Sequence, residues 1–133
     1  MSETIQLDIV TPEKKIFSDK GIESVTVPGI EGDMGILPNH IPIITFLKSG
    51  KIFIESSGKQ ISYFISDGVL EFNNNLLTIL ASEIYDLENI SAKDIEYLKI
   101  KAKEKNSKQD LTDNEIFLAN KFQEEVELLS SSK

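Results

Sequence analysis

The chain has 133 residues, 40% hydrophobic and 27% charged, as in a globular protein of one modest domain or one domain with an appendage. The net charge of −8 disfavours nucleic acid or anionic lipid as a partner, because both are bound through clustered cations. All 14 basic residues are lysines, which excludes chemistry that needs a planar guanidinium fork. The absence of cysteine excludes disulfides, zinc–thiolate sites and thiol catalysis.

Targeting and membrane-spanning patterns are not found in the sequence. The first residues, MSETIQLDIV, lack the basic start and the long apolar run of a signal peptide. The longest apolar stretch, around Ile41–Leu47, is far too short to cross a bilayer. We therefore expect a protein of the cytosol or an equivalent compartment.

Residues 1–85 have the pattern of a β-sandwich. They contain all seven glycines and all four prolines, with short apolar runs between turn signals. Apolar and polar residues alternate in Ile5–Ile9 and Glu23–Val27, as in strands with one buried face. Ser56–Lys59 and Asn73–Asn75 each separate two apolar runs, which predicts hairpin loops. Many short strands with frequent turns are typical of an antiparallel sandwich or barrel.

Residues 86–133 contain no glycine or proline, and their apolar residues recur at a helical period. Ser91–Asp94 and Thr112–Glu115 both fit the capping box that begins a helix, and a polar turn is predicted near Asn106–Asp110. The predicted apolar faces are Ile95, Leu98 and Ala102 in the first helix and Leu118, Phe122, Val126 and Leu129 in the second. The sequence thus predicts an α+β fold, an N-terminal antiparallel β-sandwich followed by a C-terminal antiparallel two-helix hairpin.

The charges of the predicted hairpin are segregated. Lys93–Lys108 carries six lysines and three acids, a net +3, whereas Asp110–Leu129 carries six acids and one lysine, a net −5. One interpretation is that both helices simply present solvated faces. The other is that packing sets opposite charges side by side, each exposed pair contributing on the order of 0.2–1 kcal/mol. On the second interpretation the hairpin opens at little cost when its apolar face finds another partner.

Motifs of enzymes are absent from the sequence. Gly29, Gly32 and Gly35 are spaced GxxGxxG, which is not the dinucleotide-binding pattern, and neither Gly-Lys pair continues into Ser or Thr. The single histidine, His40, lies between two prolines without a serine or aspartate at a catalytic spacing, which favours a structural or interface role. We therefore expect no catalytic residue, no metal site and no cofactor.

The segment Val27–Pro42 is the most unusual stretch, because three glycines and three prolines punctuate it. The glycines and prolines around Glu31, Asp33, Met34 and His40 predict a loop held in one conformation and presented to a partner. The alternative is a complicated corner of the sandwich.

Four stretches of the chain resemble the epsilon-subunit family of bacterial F-type ATP synthases, which corresponds to the delta subunit of the mitochondrial enzyme. They are Leu7–Glu13 (LDIVTPE), Val27–Ile43 with its ending EGDMGILPNHIPI, Ser66–Glu71 (SDGVLE) and Leu77–Ala81 (LTILA). They occur in the order and spacing of that family, which shares the length and the sandwich-then-hairpin layout. The resemblance is one of residues in the sandwich and of architecture in the hairpin.

The resemblance implies a non-catalytic subunit of the central rotor stalk, peripheral at the cytoplasmic face of the bacterial cell membrane. Such a subunit grips the gamma subunit, rests on the polar loops of the c-ring and helps couple proton translocation to ATP synthesis. Carried over residue by residue, Glu31, Asp33 and Met34 are expected at the c-ring, and Thr11 and His40 at the gamma subunit. The helices are expected to form a regulatory arm that reaches the catalytic alpha and beta subunits.

The chain departs from the family at two places. Some members bind ATP through a motif at the start of the first helix, with an aspartate and, three positions later, an arginine. Ser91 and Asp94 occupy these positions here, so we expect ATP to bind weakly or not at all. In several bacteria a basic second helix braces an acidic catalytic segment and inhibits hydrolysis. The second helix of this chain has a net charge of −5, so we expect a poor inhibitor.

Two other classes of protein stay open at this point. A free-standing sandwich that binds a small ligand or carbohydrate would be monomeric and hold a ligand pocket. An enzyme is the least favoured class, because the motifs are missing. Co-purification with a large complex bearing a P-loop ATPase would favour the rotor-stalk subunit.

Overall fold

The computed structural model describes residues 3–108 and 110–131, which form ten strands and two helices. The chain divides into two compact units, Met1–Leu87 and Glu88–Lys133. The strands are β1 Ile5–Val10, β2 Lys15–Ile22, β3 Ser24–Gly29, β4 Gly32–Ile36, β5 Ile43–Leu47, β6 Gly50–Ser56, β7 Lys59–Ile65, β8 Gly68–Asn73, β9 Leu76–Ala81 and β10 Ile84–Asp86. The helices are α1 Ala92–Ser107 and α2 Asp113–Ser131. The predicted fold class is confirmed.

The strands form one hydrogen-bonded sheet in the order β10-β7-β6-β3-β5-β8-β9-β1-β2, with β4 paired to β3. The sheet folds into two layers at β3, which pairs with β6 through Ser24–Thr26 and with β5 where Gly29 meets Leu47. Pairing between the described strands is antiparallel except between β1 and β9, which run parallel. The first strand is therefore hydrogen-bonded on both sides, by β9 and by β2.

The core of the sandwich lies between the two layers and is built largely by alternate residues of the strands. In β1 the predicted alternation holds, because Ile5, Leu7 and Ile9 are fully buried and their neighbours are not. Burial of such a side chain contributes about 1.5–3 kcal/mol. The other buried members of the core are Ile22, Val25, Val27, Ile36, Leu47, Ile52, Ile54, Tyr63, Ile65, Leu70, Phe72, Leu77, Ile79 and Ala81.

Both predicted hairpin loops are confirmed, each as a two-residue turn. Ser57 and Gly58 join β6 to β7 with φ angles of 52° and 77°, and Asn74 and Asn75 join β8 to β9 with 50° and 59°. Positive φ at both central positions suits the right-handed twist of the paired strands. Glycine and asparagine tolerate this conformation better than other residues, which explains their presence here.

Both predicted capping boxes are also confirmed. The hydroxyl of Ser91 accepts the Asp94 backbone N–H at 3.1 Å, and the Asp94 carboxylate accepts the Ser91 N–H at 3.2 Å. Thr112 and Glu115 make the same reciprocal pair at 3.1 and 3.2 Å at the start of α2. Each box satisfies two backbone donors that the first helical turn leaves without partners.

The apolar face of α1 is the predicted one, whereas that of α2 differs from the prediction at one position. Leu118 is 41% exposed, and Ala119 is buried in its place. One residue corresponds to a rotation of about 100° around a helix, so the two positions lie on different faces. The buried residues of α2 are Ala119, Phe122, Val126 and Leu129.

Side-chain contacts join the two helices. The Nδ2 of Asn106 in α1 lies 2.7 Å from Oε1 of Gln123 and 3.3 Å from the Ala119 carbonyl oxygen in α2. The Lys105 ammonium lies 4.5 Å from the centroid of the Phe122 ring. Among residues 3–108 and 110–131, no helix is long and apolar enough to cross a membrane.

Candidate partner-docking surface

Five apolar side chains form a strip across the outer face of the layer that contains β5, β8, β9 and β1. The strand register places Phe46 beside Val69, Val69 beside Leu80, and Leu80 beside Val10. Ile44 lies on the same face of β5, two residues before Phe46. These five residues are called the apolar strip below.

The strip is exposed although its side chains are hydrophobic. Ile44 is 72% exposed, Phe46 is 68% exposed and Leu80 is 52% exposed, while the two valines are half-buried. In the next row on the same face Ile44 is followed by three polar residues, Glu71, Thr78 and Asp8. A contiguous apolar surface with a polar border is typical of a site that binds another protein.

The strip was not predicted from the sequence, although a signal for it exists. An antiparallel strand with one solvated face should carry polar residues at alternate positions. In β5, IITFL, the inward Leu47 is buried while the outward Ile44 and Phe46 are also apolar. The same doubling occurs in β9, LLTILA, at Leu80. Apolar residues on both faces are typical of a strand whose outer face is covered by a partner.

A tight turn precedes β5 and extends this surface. The His40 backbone N–H donates to the Leu37 carbonyl oxygen at 3.1 Å, and Asn39 between them has a φ of 68°. Ile41, directly after the turn, is 73% exposed. The half-buried His40 ring packs edge-on against Phe72, with centroids 5.9 Å apart, and so rests on the sandwich core. Its predicted contact with a partner stays a prediction.

The predicted acidic residues lie at the β3–β4 turn. Glu31 and Asp33 are both exposed, whereas Met34 is half-buried and packs against the core. The turn is tight, since a Cβ atom on Gly29 would lie 2.7 Å from the Gly32 carbonyl oxygen. Gly32 has a φ of 138°, which side-chain-bearing residues rarely adopt. Glycine therefore fixes the backbone that presents the two carboxylates.

Thr11 lies in the β1–β2 turn and does not come near His40 in the sheet. Its backbone N–H donates to the Lys14 carbonyl oxygen at 2.9 Å, which closes the turn. It follows Val10 of the apolar strip, whereas His40 precedes β5 and contacts Phe72 at the other end of the same layer. The two residues predicted at one partner therefore border the layer at opposite ends.

The residues aligned with a nucleotide motif form the α1 capping box. The carboxylate of Asp94 and the hydroxyl of Ser91 are both engaged with backbone N–H groups of the first turn. Within the described ranges, no group of three His, Asp or Glu side chains could hold a metal ion. The predictions of no nucleotide site and no metal site stay predictions.

Comparison with known proteins identifies the family. Residues 4–86 match the family described as ATP synthase, Delta/Epsilon chain, beta-sandwich domain. The ATP synthase epsilon chain of Pelagibacter ubique (strain HTCC1062) is 42% identical over 118 residues, which cover 89% of this chain and 91% of the relative. That of Desulforamulus reducens is 38% identical over 109 residues, covering 81% of this chain and 82% of the relative.

Two solved structures share the fold. A chain in the cryo-EM structure of the Euglena gracilis mitochondrial ATP synthase, OSCP/F1/c-ring in rotational state 1, gives a TM-score of 0.73 at 23% identity, covering 99% of this chain and 82% of that one. A chain in the central stalk/c-ring structure of the Tetrahymena thermophila mitochondrial ATP synthase gives 0.67 at 18% identity, covering 96% and 95%.

The folded sheet carries an exposed apolar strip on one layer, a surface typical of proteins that bind other proteins. The chain belongs to the ATP synthase delta/epsilon chain family. Members of this family are non-catalytic subunits, so the sequence prediction that the chain is not an enzyme is confirmed by its relatives. The family match therefore favours an ATP synthase subunit over the alternative of a free-standing ligand-binding sandwich.

Proposed function

We propose that this chain is a central rotor-stalk subunit of an F-type ATP synthase that binds the gamma subunit and the c-ring and couples proton translocation to ATP synthesis. It associates with the cytoplasmic face of the bacterial membrane through the complex alone. The observation that carries the proposal is the apolar strip, which leaves a hydrophobic surface exposed on a member of the ATP synthase delta/epsilon chain family. Both structural neighbours come from ATP synthase assemblies that include the c-ring, which supports the same setting.

The apolar strip is proposed to bind the gamma subunit. Its exposed side chains lose contact with water only when a partner covers them, and that burial supplies the driving force for association. Phe46 is the proposed anchor, because large aromatic side chains near the centre of an interface contribute most to affinity. Thr11 and His40 lie at the two ends of this layer and are proposed to mark the limits of the contact.

A lysine at the anchor tests this proposal. Phe46→Lys should weaken binding of the full chain to its cognate gamma subunit by at least about tenfold, because the charge must be desolvated. Gln60→Lys is the matched control, since it adds the same charge at an exposed strand position opposite Glu55. Calorimetric titration with purified gamma subunit measures both. Equal affinity of Phe46→Lys and the control would contradict the proposal.

The acidic β3–β4 turn is proposed to meet a basic loop of the c-ring through Glu31 and Asp33, with Met34 behind them. Changing both carboxylates to lysine should reduce proton pumping by the assembled enzyme, because like charges would then oppose each other. The control Asp19→Lys with Glu55→Lys changes the charge equally at other exposed positions. Thermal unfolding should be little altered in both, since exposed charges contribute little to stability. Unaltered pumping by the first variant would remove these residues from the contact.

The hairpin is proposed to regulate the catalytic alpha and beta subunits only weakly. The chain has no arginine for a nucleotide phosphate, and Asp94 is held in the α1 cap. The acidic α2 would meet an acidic catalytic segment with like charge. Removing the residues after Leu87 should therefore leave ATP hydrolysis by the complex nearly unchanged, and calorimetry should detect no micromolar ATP binding. A several-fold rise in hydrolysis would overturn the first expectation, and micromolar binding the second.

A further inference from the structure

Hydrogen bonds between two asparagines tie the Leu37–His40 turn to the β8–β9 hairpin. The backbone N–H of Asn39 donates to Oδ1 of Asn75 at 2.6 Å, and Nδ2 of Asn75 donates to Oδ1 of Asn39 at 3.1 Å. Nδ2 of Asn39 in turn donates to a carboxylate oxygen of Glu3. Asn39, Asn75 and Glu3 are called the asparagine clasp below.

The clasp links the turn to the middle of a strand layer. The backbone carbonyl of Asn75 accepts the N–H of Gln6 in β1 at 2.9 Å, so the residue that holds the turn is itself fixed to the sheet. Its φ of 59° places it in the left-handed region that the two-residue hairpin requires. Asn75 thus has a structural role through its backbone and a separate one through its side chain.

The geometry of the turn explains what the side chain does. Pro38 in the second position and a φ of 68° at Asn39 in the third fit a type II turn, whose internal hydrogen bond uses the N–H of His40. The N–H of Asn39 therefore has no acceptor within the turn. Asn75 supplies that acceptor from the neighbouring hairpin, which fixes the turn at one position against the sheet.

The turn that the clasp fixes carries exposed apolar residues beside the docking surface. Leu37 is 60% exposed and Ile41 is 73% exposed, on either side of the clasped residue. Ile41 is followed by β5, which carries the two most exposed members of the apolar strip. A loop that is ordered before binding loses less conformational entropy when its partner arrives.

We infer that Asn75 is a positioning residue of the docking surface, which acts through Asn39 to hold Leu37, His40 and Ile41 in the conformation that binds the partner. This inference rests on the proposed function, since the partner used to test it is the gamma subunit.

The direction of the hydrogen bonds makes a selective test possible. Asn75→Asp keeps the acceptor for the Asn39 N–H but replaces the Nδ2 donor by an oxygen that faces Oδ1 of Asn39. Rotating the Asn39 amide relieves that contact and turns its Oδ1 toward Glu3, where two acceptors then meet. Glu3→Gln provides a donor there, so the chain of hydrogen bonds can run in the opposite direction. Glu3→Gln should therefore rescue Asn75→Asp.

Asn75→Gly is the second variant, because glycine removes the amide while suiting the positive φ of the hairpin. Glu3→Gln offers no compensation for an amide that is missing. Calorimetric titration of the full chain with gamma subunit should show a roughly three- to tenfold loss of affinity in both Asn75 variants. The loss should be recovered by Glu3→Gln in Asn75→Asp alone, with each double variant compared with its own Asn75 single variant.

Each outcome decides the inference. Unchanged affinity in Asn75→Gly, or a Glu3→Gln effect that is equal in both Asn75 backgrounds, would overturn it. Failure of the wild-type chain to bind gamma subunit overturns the proposed function instead, and amide hydrogen exchange then decides the clasp. Faster exchange at Asn39 and His40 in Asn75→Gly supports a positioning role, and unchanged exchange at both amides rejects it.

Discussion

In the sandwich, strands approach one another closely at glycines, against a backbone carbonyl or a rigid proline ring, whereas the helices of the hairpin meet through side chains. A Cβ atom on Gly68 would lie 2.5 Å from the Leu80 carbonyl oxygen, and one on Gly50 would lie 2.7 Å from the Pro28 ring. The hairpin unit contains no glycine and is joined by contacts such as those of Asn106 and Phe122. Backbone atoms cannot rotate away from a close contact, while side chains can.

This difference matches what each unit is suited to do. A sheet held by close contacts at glycines keeps its outer face in one shape, which favours a surface presented to a partner. A hairpin held by side-chain contacts is weakened when a single one of them is removed. Helices of this length depend on their packed apolar face rather than on intrinsic helix propensity. The comparison therefore predicts high local stability in the first unit and lower local stability in the second.

Deleting one buried phenylalanine in each unit tests whether the two units are independent. Phe72→Ala should destabilise the sandwich by about 3–5 kcal/mol, because a large side chain with 1% exposure is removed from its core. Phe122→Ala should raise amide exchange throughout the hairpin while leaving exchange in the sandwich core unchanged. Exchange resolved by residue measures both. Loss of protection in β1 and β9 of Phe122→Ala would show that the two units unfold together.

A methyl group at a glycine sharpens the claim about backbone approach. Gly68→Ala should destabilise the chain by about 1–3 kcal/mol, because the new Cβ meets a carbonyl oxygen that cannot rotate away. Gly35→Ala is the matched control, since a Cβ there meets no atom within 4 Å and its φ is not positive. Urea denaturation of both variants compares them. Equal midpoints would show that the sandwich accommodates the contact by small shifts.

Removing one amide from the helix interface tests the side-chain contacts. Asn106→Ala should lower hairpin stability by about 1 kcal/mol, because the amide hydrogen-bonds to Ala119 and Gln123 across the interface. Asn120→Ala makes the same chemical change at an exposed position of α2. Hydrogen exchange measures the free energy of local opening of the hairpin in both variants, and the two values are compared. A destabilisation as small as that of the control would leave apolar packing as the main contribution.

Local chemistry explains which parts of the fold could be predicted from the sequence. The Ser91 and Thr112 caps and the Ser57–Gly58 turn depend on residues within four positions of each other, and each was predicted correctly. The parallel pairing of β1 with β9 joins residues such as Leu7 and Leu77, far apart in the chain, and no local pattern encodes it. In α2, Leu118 was predicted on the buried face but Ala119 is the buried residue. Helical spacing places these two positions at similar angles on either side of the face formed by Phe122, Val126 and Leu129, so periodicity alone does not decide between them.

The docking surface likewise has parts that local sequence predicts and parts that depend on distant residues. Glu31 and Asp33 were predicted to be exposed because the surrounding glycines indicate a tight turn, and both are. The apolar strip was missed because apolar runs such as Ile43–Leu47 are ordinarily interpreted as core. The Asn73–Asn75 run predicts a turn, but the hydrogen bonds of Asn75 with Asn39 depend on the folding of the sheet. Contacts between segments that are distant in the chain could not be predicted from the sequence.

The smallest expected effect concerns the start of α2. The backbone N–H of Thr112, its hydroxyl and then the positive charge of Lys108 favour the ionised Glu115 carboxylate and hold the pKa of Glu115 below its usual value. Because the folded pKa is the lower one, this stabilisation is complete above the unfolded pKa and is lost as pH falls through the folded pKa. As pH falls through the folded pKa of Glu115, we expect the protection of the Thr112 and Glu115 amides against hydrogen exchange to decrease. Glu115→Gln keeps an acceptor but has no charge to titrate, so protection of these two amides should not decrease in this way in the variant. The difference in protection between the wild type and Glu115→Gln then separates the effect of Glu115 from that of other carboxylates. A difference that does not change with pH would show that the neutral acceptor caps α2 as well as the carboxylate does.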